Sequence, residues 1–165
     1  MGATTSPWLS VWAKTNRDSQ SPGVITSWLP LHQHLADTAG IAGLLVDEWV
    51  SPQVIRRIAA DIDGNHRDVR AIATWLAAVH DVGKISPAFT VQAYPTASVL
   101  LDLMRRNELA VRLGTADDPH RSKTRHEFVG QTAVFDWLTE ERGFRRRGAA
   151  GQFASVVGSH HGVPP

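Results

Sequence analysis

Apolar residues recur at helical spacing along most of the chain beyond residue 30. The first run begins at Leu31 and places His34, Thr38, Ile41 and Leu45 on one face, since residues three or four positions apart share a side of an α-helix. We therefore predict a helix there, with the side chain of His34 pointing inward.

Two Ser-Pro pairs predict the starts of further helices. In "SPQVIRRIAADID", Ser51 stands at the N-cap and Pro52 at the first helical position, and in "SPAFTVQ" Ser86 repeats the cap. A serine hydroxyl accepts a hydrogen bond from an otherwise unpaired N–H at a helix start, and proline has no N–H to satisfy. Both segments are therefore predicted to be helical.

A further helix, predicted from about Arg67, ends in a histidine that is followed by an aspartate. Its apolar residues recur at helical spacing and comprise Val69, Ile72, Ala73, Leu76 and His80. Gly83 is predicted to end this helix, since glycine is common just beyond a helix C-terminus. His80 and Asp81 are therefore expected at the edge of the core.

The C-terminal third of the pattern predicts two helices after a loop. We expect a helix over about Thr96–Leu109, a polar loop over Arg112–Arg125, and a last helix over about Gly151–His160. Between the loop and the last helix, His126 begins a helix in which three residues share the face of the histidine: Gly130, Ala133 and Trp137.

Residues 1–30 show no sustained period and no alternating strand pattern. We interpret them as an irregular N-terminal arm that packs through Trp8, Trp12 and Trp28. The chain is therefore predicted to be all-α, a single domain over residues 1–165 with no substantial sheet.

The composition narrows the classes of function. The 165 residues include 42% hydrophobic and 20% charged side chains, which is ordinary for a soluble domain. No apolar run approaches the roughly 18 residues of a membrane span, so we expect a cytoplasmic protein with no membrane partner. The net charge of +1 does not favour nucleic acid binding globally. Clusters at Arg105–Arg106 and Arg142–Gly148 are more typical of solvated faces than of binding sites. They are nevertheless the candidates for DNA contact.

The histidines suggest a metal centre. Five of the eight lie at helix ends or on inward faces: His34, His80, His126, His160 and His161. The other three, His32, His66 and His120, are expected at the surface. One such histidine is more often a satisfied core residue, but several on different helices would each need a partner when buried. Because there are no cysteines, a metal would be held by imidazole and carboxylate, which suits Fe, Mn, Co, Ni or Mg as well as Zn.

Asp81 and Lys84 complete the candidate chemistry. The two carboxylate oxygens of Asp81 can bridge two ions, and a pair of ions about 3.5–4 Å apart can clamp a phosphodiester. Lys84 lies about one helical turn beyond His80. It is interpreted either as a catalytic contact to a phosphate oxygen or as a solvated lysine at a helix end.

Five segments in order resemble the HD nuclease domain of the type I CRISPR-associated nuclease-helicase family, within the HD superfamily. They are "WAK", "LPLHQHLADTAGIAGLL", "HDVGKISPAFTVQ", "RHEFVG" and "GSHHGVPP". The resemblance implies an all-α helical bundle around two divalent transition-metal ions. It implies cleavage of single-stranded DNA in antiviral defence, with a CRISPR surveillance complex (Cascade) and a helicase domain or subunit as partners.

The resemblance also implies a ligand set. His34, His80 and Asp81 would bind the first metal, with Asp81 bridging, and the second metal would be completed by His126, His160 and His161. The family continues past the His-His segment with further helices and another aspartate ligand, so this chain is expected to lack them. Two alternatives remain open: an HD phosphohydrolase acting on nucleotides or cyclic dinucleotides, and a non-catalytic remnant or interaction module.

Overall fold

The computed structural model describes residues 6–21, 24–93, 98–109, 111 and 123–162. A 3₁₀ turn at Pro7–Ser10 leads into the strands β1 (Trp12–Arg17) and β2 (Ile25–Pro30). The helices are α1 (Leu31–Glu48), α2 (Pro52–Asp61), α3 (His66–Val79), α4 (Pro87–Thr90), α5 (Ser98–Arg106), α6 (His126–Asp136) and α7 (Ala149–Gly158). Short 3₁₀ turns at Val82–Ile85 and Val91–Ala93 flank α4, and a π-helical turn at Trp137–Glu141 extends α6.

Local capping explains why the helices begin where they do. The Ser51 and Ser86 hydroxyls accept the N–H groups of Val54 and Phe89, each at 3.4 Å, so both predicted caps are confirmed. The start of α3 is fixed by a reciprocal pair in which the Asn65 N–H donates to the Asp68 carboxylate at 2.9 Å. Helix α5 lies within the range predicted from Thr96, but Thr96 itself and loop residues 112–122 lie outside the described residues.

The prediction of an irregular N-terminal arm was wrong over two stretches. Strands β1 and β2 pair in an antiparallel manner, from Trp12 opposite Pro30 to Arg17 opposite Ile25, with two register shifts. Burial along them does not alternate, which is why no two-residue period appears in the sequence. The fold is thus mostly helical with one small sheet.

The three tryptophans of this region differ in burial. Trp12 is buried and packs against Phe89, with ring centroids 4.4 Å apart, and Trp28 is partly buried against the same cluster. Trp8, expected to pack inward, is instead 50% exposed and meets the ring of His32 edge-on.

The helices pack in two pairs. Helix α1 lies along α3, and α6 lies along α7 and against the turn at Val82–Ile85. The second pair encloses an apolar cluster that contains Val134, Leu138, Ala150 and Val157. Among the described residues, no helix is long and apolar enough to cross a membrane.

Two of the predicted inward faces were wrong in part. On α1, Ile41 and Leu45 are 57% and 46% exposed, because the contact with α3 is made through small Gly43, which lies against Arg70. The spacing of apolar side chains in the sequence does not reveal such a close approach between two helices. On α6, Ala133 and Trp137 are exposed, while the buried residues recur four apart: Gly130, Val134 and Leu138. The predicted residues and the buried residues both recur at helical spacing, so only the position of α7 shows which set is buried.

Candidate metal centre

The structure brings together all six residues predicted as metal ligands. His34 lies in the first turns of α1, His80 and Asp81 directly follow α3, and His126 opens α6. His160 and His161 follow the end of α7. Asp81 lies at the middle of the group and is only 3% exposed.

The two oxygens of Asp81 face two different sets of residues. Oδ2 lies 3.0 Å from His34 Nε2 and 3.3 Å from His80 Nε2. Oδ1 lies 3.1 Å from His126 Nε2 and 3.3 Å from His160 Nε2. The carboxylate therefore joins two neighbouring clusters.

Each cluster has the dimensions of a metal site. The ligand atoms of His34, His80 and Asp81 all lie within 4.8 Å of one another, and the same holds for His126, His160 and His161. These are the two groups that the family resemblance implies. Beside them, between α3 and α7, opens a cleft of about 520 Å³ that His80 and His160 help to line.

The backbone sets the ring orientation of two of the histidines. His80 Nδ1 donates to the Ala77 carbonyl at 2.8 Å, and His160 Nδ1 donates to the Val157 carbonyl at 2.6 Å. Both residues lie just beyond a helix, where the last carbonyls have no intrahelical partner. With the proton on Nδ1, the lone pair of each neutral ring lies on Nε2 and faces Asp81.

Burial and the carboxylate act in opposite directions on the charges. Burial alone would raise the pKa of Asp81, but His126, His80 and Lys84 outweigh it and hold that pKa well below its usual range. Burial lowers the pKa values of His34 and His160 despite the nearby carboxylate. Burial also opposes the charge on His80, but its contacts with Asp81 and the Ala77 carbonyl raise the pKa. The site therefore combines an ionised carboxylate with two imidazoles, those of His34 and His160, for which burial favours the neutral form.

Two buried atoms at this position have no hydrogen-bond partner among the described residues. They are Asp81 Oδ1 and His160 Nε2, which lie 3.3 Å apart and each present a lone pair to the other. Such buried acceptors are costly unless a proton or a cation lies between them. A set of imidazole nitrogens with one carboxylate suits a divalent first-row transition metal. The residues thus fit a divalent transition-metal ion.

Lys84 is buried behind Asp81, and the interpretation of Lys84 as a solvated lysine at a helix end was wrong. Its side chain is 10% exposed, with Nζ 2.7 Å from Asp81 Oδ2. Nζ also donates to the Ala13 carbonyl of β1 at 3.1 Å. The first strand is therefore part of the support of the site.

The prediction that Gly83 ends α3 was wrong. That helix ends at Val79, and Gly83 belongs to the next turn. A Cβ at Gly83 would lie 1.9 Å from the His126 carbonyl oxygen and 2.6 Å from the Gly130 nitrogen. Glycine is therefore required by the close approach of the turn to α6. This contact fixes Asp81 relative to His126.

Glu127 is a buried residue of the site that the sequence analysis missed. It is 4% exposed, and its Oε2 lies 3.3 Å from His126 Nδ1. The side chain of Arg125 pairs with its other oxygen, Oε1. The signal was present in "RHEFVG", where an acidic residue directly follows a candidate ligand, but helical spacing alone does not predict its burial.

The remaining candidates lie away from the centre or outside the described residues. His66 is exposed as expected, His32 is partly buried, and His120 lies outside the described residues. Arg105 and Arg106 are exposed on α5. The arginines of the 142–148 cluster are also exposed. They follow the far end of α6, roughly 20 Å from His126 at 1.5 Å per residue.

Comparisons with known proteins bear on the family and the fold of the chain. The family described as "Cas3, HD domain" matches residues 12–165. The chain is 33% identical over 160 residues to the CRISPR-associated nuclease/helicase Cas3 of Streptococcus thermophilus, across 93% of this chain and 16% of that protein. A solved structure described as "Crystal structure of CRISPR-associated protein" shares the fold, with a TM-score of 0.73 and 24% identity over 100% of this chain and 17% of the other. The chain thus spans about a sixth of the length of these relatives.

Proposed function

Because this chain belongs to the Cas3 HD domain family, we propose that it is a metal-dependent nuclease that hydrolyses phosphodiester bonds of single-stranded DNA in CRISPR defence. The observation that supports this most directly is the position of Asp81, whose two oxygens each face two imidazoles within 3.3 Å. One carboxylate between two histidine clusters is the arrangement that a two-metal hydrolase needs.

We propose two divalent transition-metal ions, Fe, Mn, Co or Ni, with Mg as a further candidate. His34, His80 and Asp81 would hold the first, and His126, His160 and His161 the second, with Asp81 shared. When bound, such ions supply an activated water and neutralise charge on the phosphodiester. The neutral imidazoles leave the loaded site positive, which favours an anionic substrate.

The residues of the chain itself prepare this site. Lys84 keeps Asp81 ionised and pins its Oδ2, and we assign it a supporting role in catalysis through that contact. The Ala77 and Val157 carbonyls hold His80 and His160 with their Nε2 atoms turned toward Asp81. Metal ligands held in this way need little rearrangement on binding.

We base the proposed substrate and partners on the relatives. A nuclease/helicase relative supports single-stranded DNA as substrate, with a helicase domain or subunit to supply the strand and a Cascade-type surveillance complex to recruit it. We also propose that the protein acts in the cytoplasm.

The proposal is tested by degradation of circular single-stranded DNA. The chain and its Asp81→Ala variant are incubated with Mn²⁺, Co²⁺, Ni²⁺ or Fe²⁺, with EDTA as the control, and bound metal is counted on the same samples. Asp102→Ala is the matched control, since Asp102 is an exposed aspartate on α5. We expect metal-dependent cleavage by the chain and by Asp102→Ala, and none by Asp81→Ala.

Other results would select a different function. Hydrolysis of a cyclic dinucleotide with circular DNA left intact would identify a small-molecule phosphohydrolase. A folded chain that binds no metal and cleaves neither substrate would identify a non-catalytic module.

A further inference from the structure

We propose that Glu127 is a positioning residue that fixes the ring of His126 with its proton on Nδ1 and its lone pair on Nε2. This inference rests on the metal centre proposed above. It adds a residue outside the ligand set, one that acts through His126 rather than on the substrate.

Three histidines of the centre differ in the backbone groups that lie near their rings. His80 and His160 follow helix C-termini, where free carbonyls accept their Nδ1–H groups. His126 is the first residue of α6, and at a helix start the unpaired backbone groups are N–H donors. Because the backbone there presents N–H groups rather than free carbonyls, a neighbouring side chain is the natural acceptor for the Nδ1–H of His126.

Glu127 is placed to be that acceptor. Its Oε2 lies 3.3 Å from His126 Nδ1, and its side chain is only 5% exposed. On the opposite side of the ring, His126 Nε2 lies 3.1 Å from Asp81 Oδ1 and 3.3 Å from His161 Nε2. The imidazole therefore lies between two carboxylates, with Nε2 directed at the shared centre.

Arg125 holds the carboxylate in place. Its guanidinium Nε donates to Glu127 Oε1 at 3.1 Å, which leaves Oε2 for His126. Burial would raise the pKa of Glu127, but Arg125 outweighs it and the pKa is lowered. The acceptor is therefore ionised at neutral pH, and a hydrogen bond to an ionised acceptor is stronger than one to a neutral acceptor.

The test compares Glu127→Leu, which removes the acceptor, with Glu127→Gln, which keeps an acceptor oxygen. The exposed residue Glu140 provides the matched control Glu140→Leu. The tautomer of His126 is read from ¹⁵N chemical shifts of the metal-free protein at pH 8, with assignment by His126→Asn. Affinity and stoichiometry are then measured by Co²⁺ titration, followed by visible absorption.

We expect an Nδ1–H tautomer in the unchanged chain and a large Nε2–H population in Glu127→Leu. Co²⁺ affinity should fall about 10–100-fold in Glu127→Leu, as is usual when such an outer partner is lost. Glu127→Gln should recover part of the loss, and Glu140→Leu should bind like the unchanged chain. Partial rescue by glutamine separates positioning from a structural ion pair, since glutamine cannot pair with Arg125 as a charge.

Two results would overturn the inference: an Nε2–H tautomer in the unchanged chain, or full Co²⁺ affinity in Glu127→Leu. If Glu127→Leu does not fold, the inference is tested by the tautomer of His126 in the unchanged chain and by the Co²⁺ affinity of Glu127→Gln. Failure of the unchanged chain to bind Co²⁺, with His126 in the Nδ1–H form, would overturn the proposed metal centre instead and support the role of Glu127 in fixing the ring.

Discussion

Substitution of Gly83 by alanine should damage the metal centre without touching any of its ligands. The added Cβ would lie 1.9 Å from the His126 carbonyl oxygen, whereas ordinary contacts begin at 3.4 Å. The turn and α6 must therefore separate by about 1.5 Å, the difference between these two distances. All three atoms that obstruct the methyl group belong to the backbone, so no side-chain rotation relieves the overlap.

The magnitude follows from what this separation does to the site. His126 Nε2 lies 3.1 Å from Asp81 Oδ1, and a shift of about 1.5 Å far exceeds the roughly 0.2 Å tolerance of metal–ligand distances. Overpacking of this kind costs about 1–3 kcal/mol of unfolding free energy. We expect Gly83→Ala to lose about 3 kcal/mol, the upper end of that range, and to bind metal at least 10-fold more weakly.

The assay combines urea denaturation with Co²⁺ titration, and Gly151→Ala is the control. Gly151 lies inside α7, and a Cβ there meets no atom within 4 Å among the described residues. Alanine should therefore stabilise that position by about 0.5–1 kcal/mol through helix propensity. If Gly83→Ala matched Gly151→Ala in stability and metal affinity, the close contact between turn and helix would not exist as described.

Three further predictions concern charge and metal. Lys84→Met removes the ammonium 2.7 Å from Asp81 Oδ2 and should lower the unfolding free energy of the metal-free chain by about 3 kcal/mol; an unchanged urea midpoint would contradict the buried pair. The raised pKa of His80 means that metal must displace its proton, so Co²⁺ affinity should fall from pH 8 to pH 6, and a flat profile would refute this. Mn²⁺ at 100 times its dissociation constant should stabilise the fold by about 2.7 kcal/mol; calorimetry should show the shift in the unchanged chain and none in Asp81→Ala.

The parts of the fold that could be predicted from sequence are those with local causes. The caps at Ser51 and Ser86 depend on a hydroxyl and the next turn of the same helix, so the sequence is sufficient. The pairing of β1 with β2 depends on a partner strand and contains two register shifts, and nothing within either strand shows it. The inward face of α1 was missed for a related reason, since its contact with α3 runs through Gly43.

The difference between local causes and contacts across the fold also applies to the site. Histidines at helix ends, together with the family resemblance, predicted all six residues that the structure brings together. Three supports of the site could not be predicted, because the surroundings of each depend on how segments far apart in the chain pack together. Lys84 meets Ala13, Gly83 meets His126, and Glu127 is buried only because α6 packs as it does.

The contacts of the centre also have a consequence for how the protein unfolds. The Asp81–His34 contact joins residues 47 positions apart, and the Lys84–Ala13 contact joins residues 71 positions apart. Contacts between such distant segments form late, after the loops between them have closed. Interactions absent from the folding transition state act mainly on the unfolding rate. We therefore expect a cation bound across these helices to leave the folding rate nearly unchanged and to slow unfolding, so that the loaded protein is stabilised kinetically.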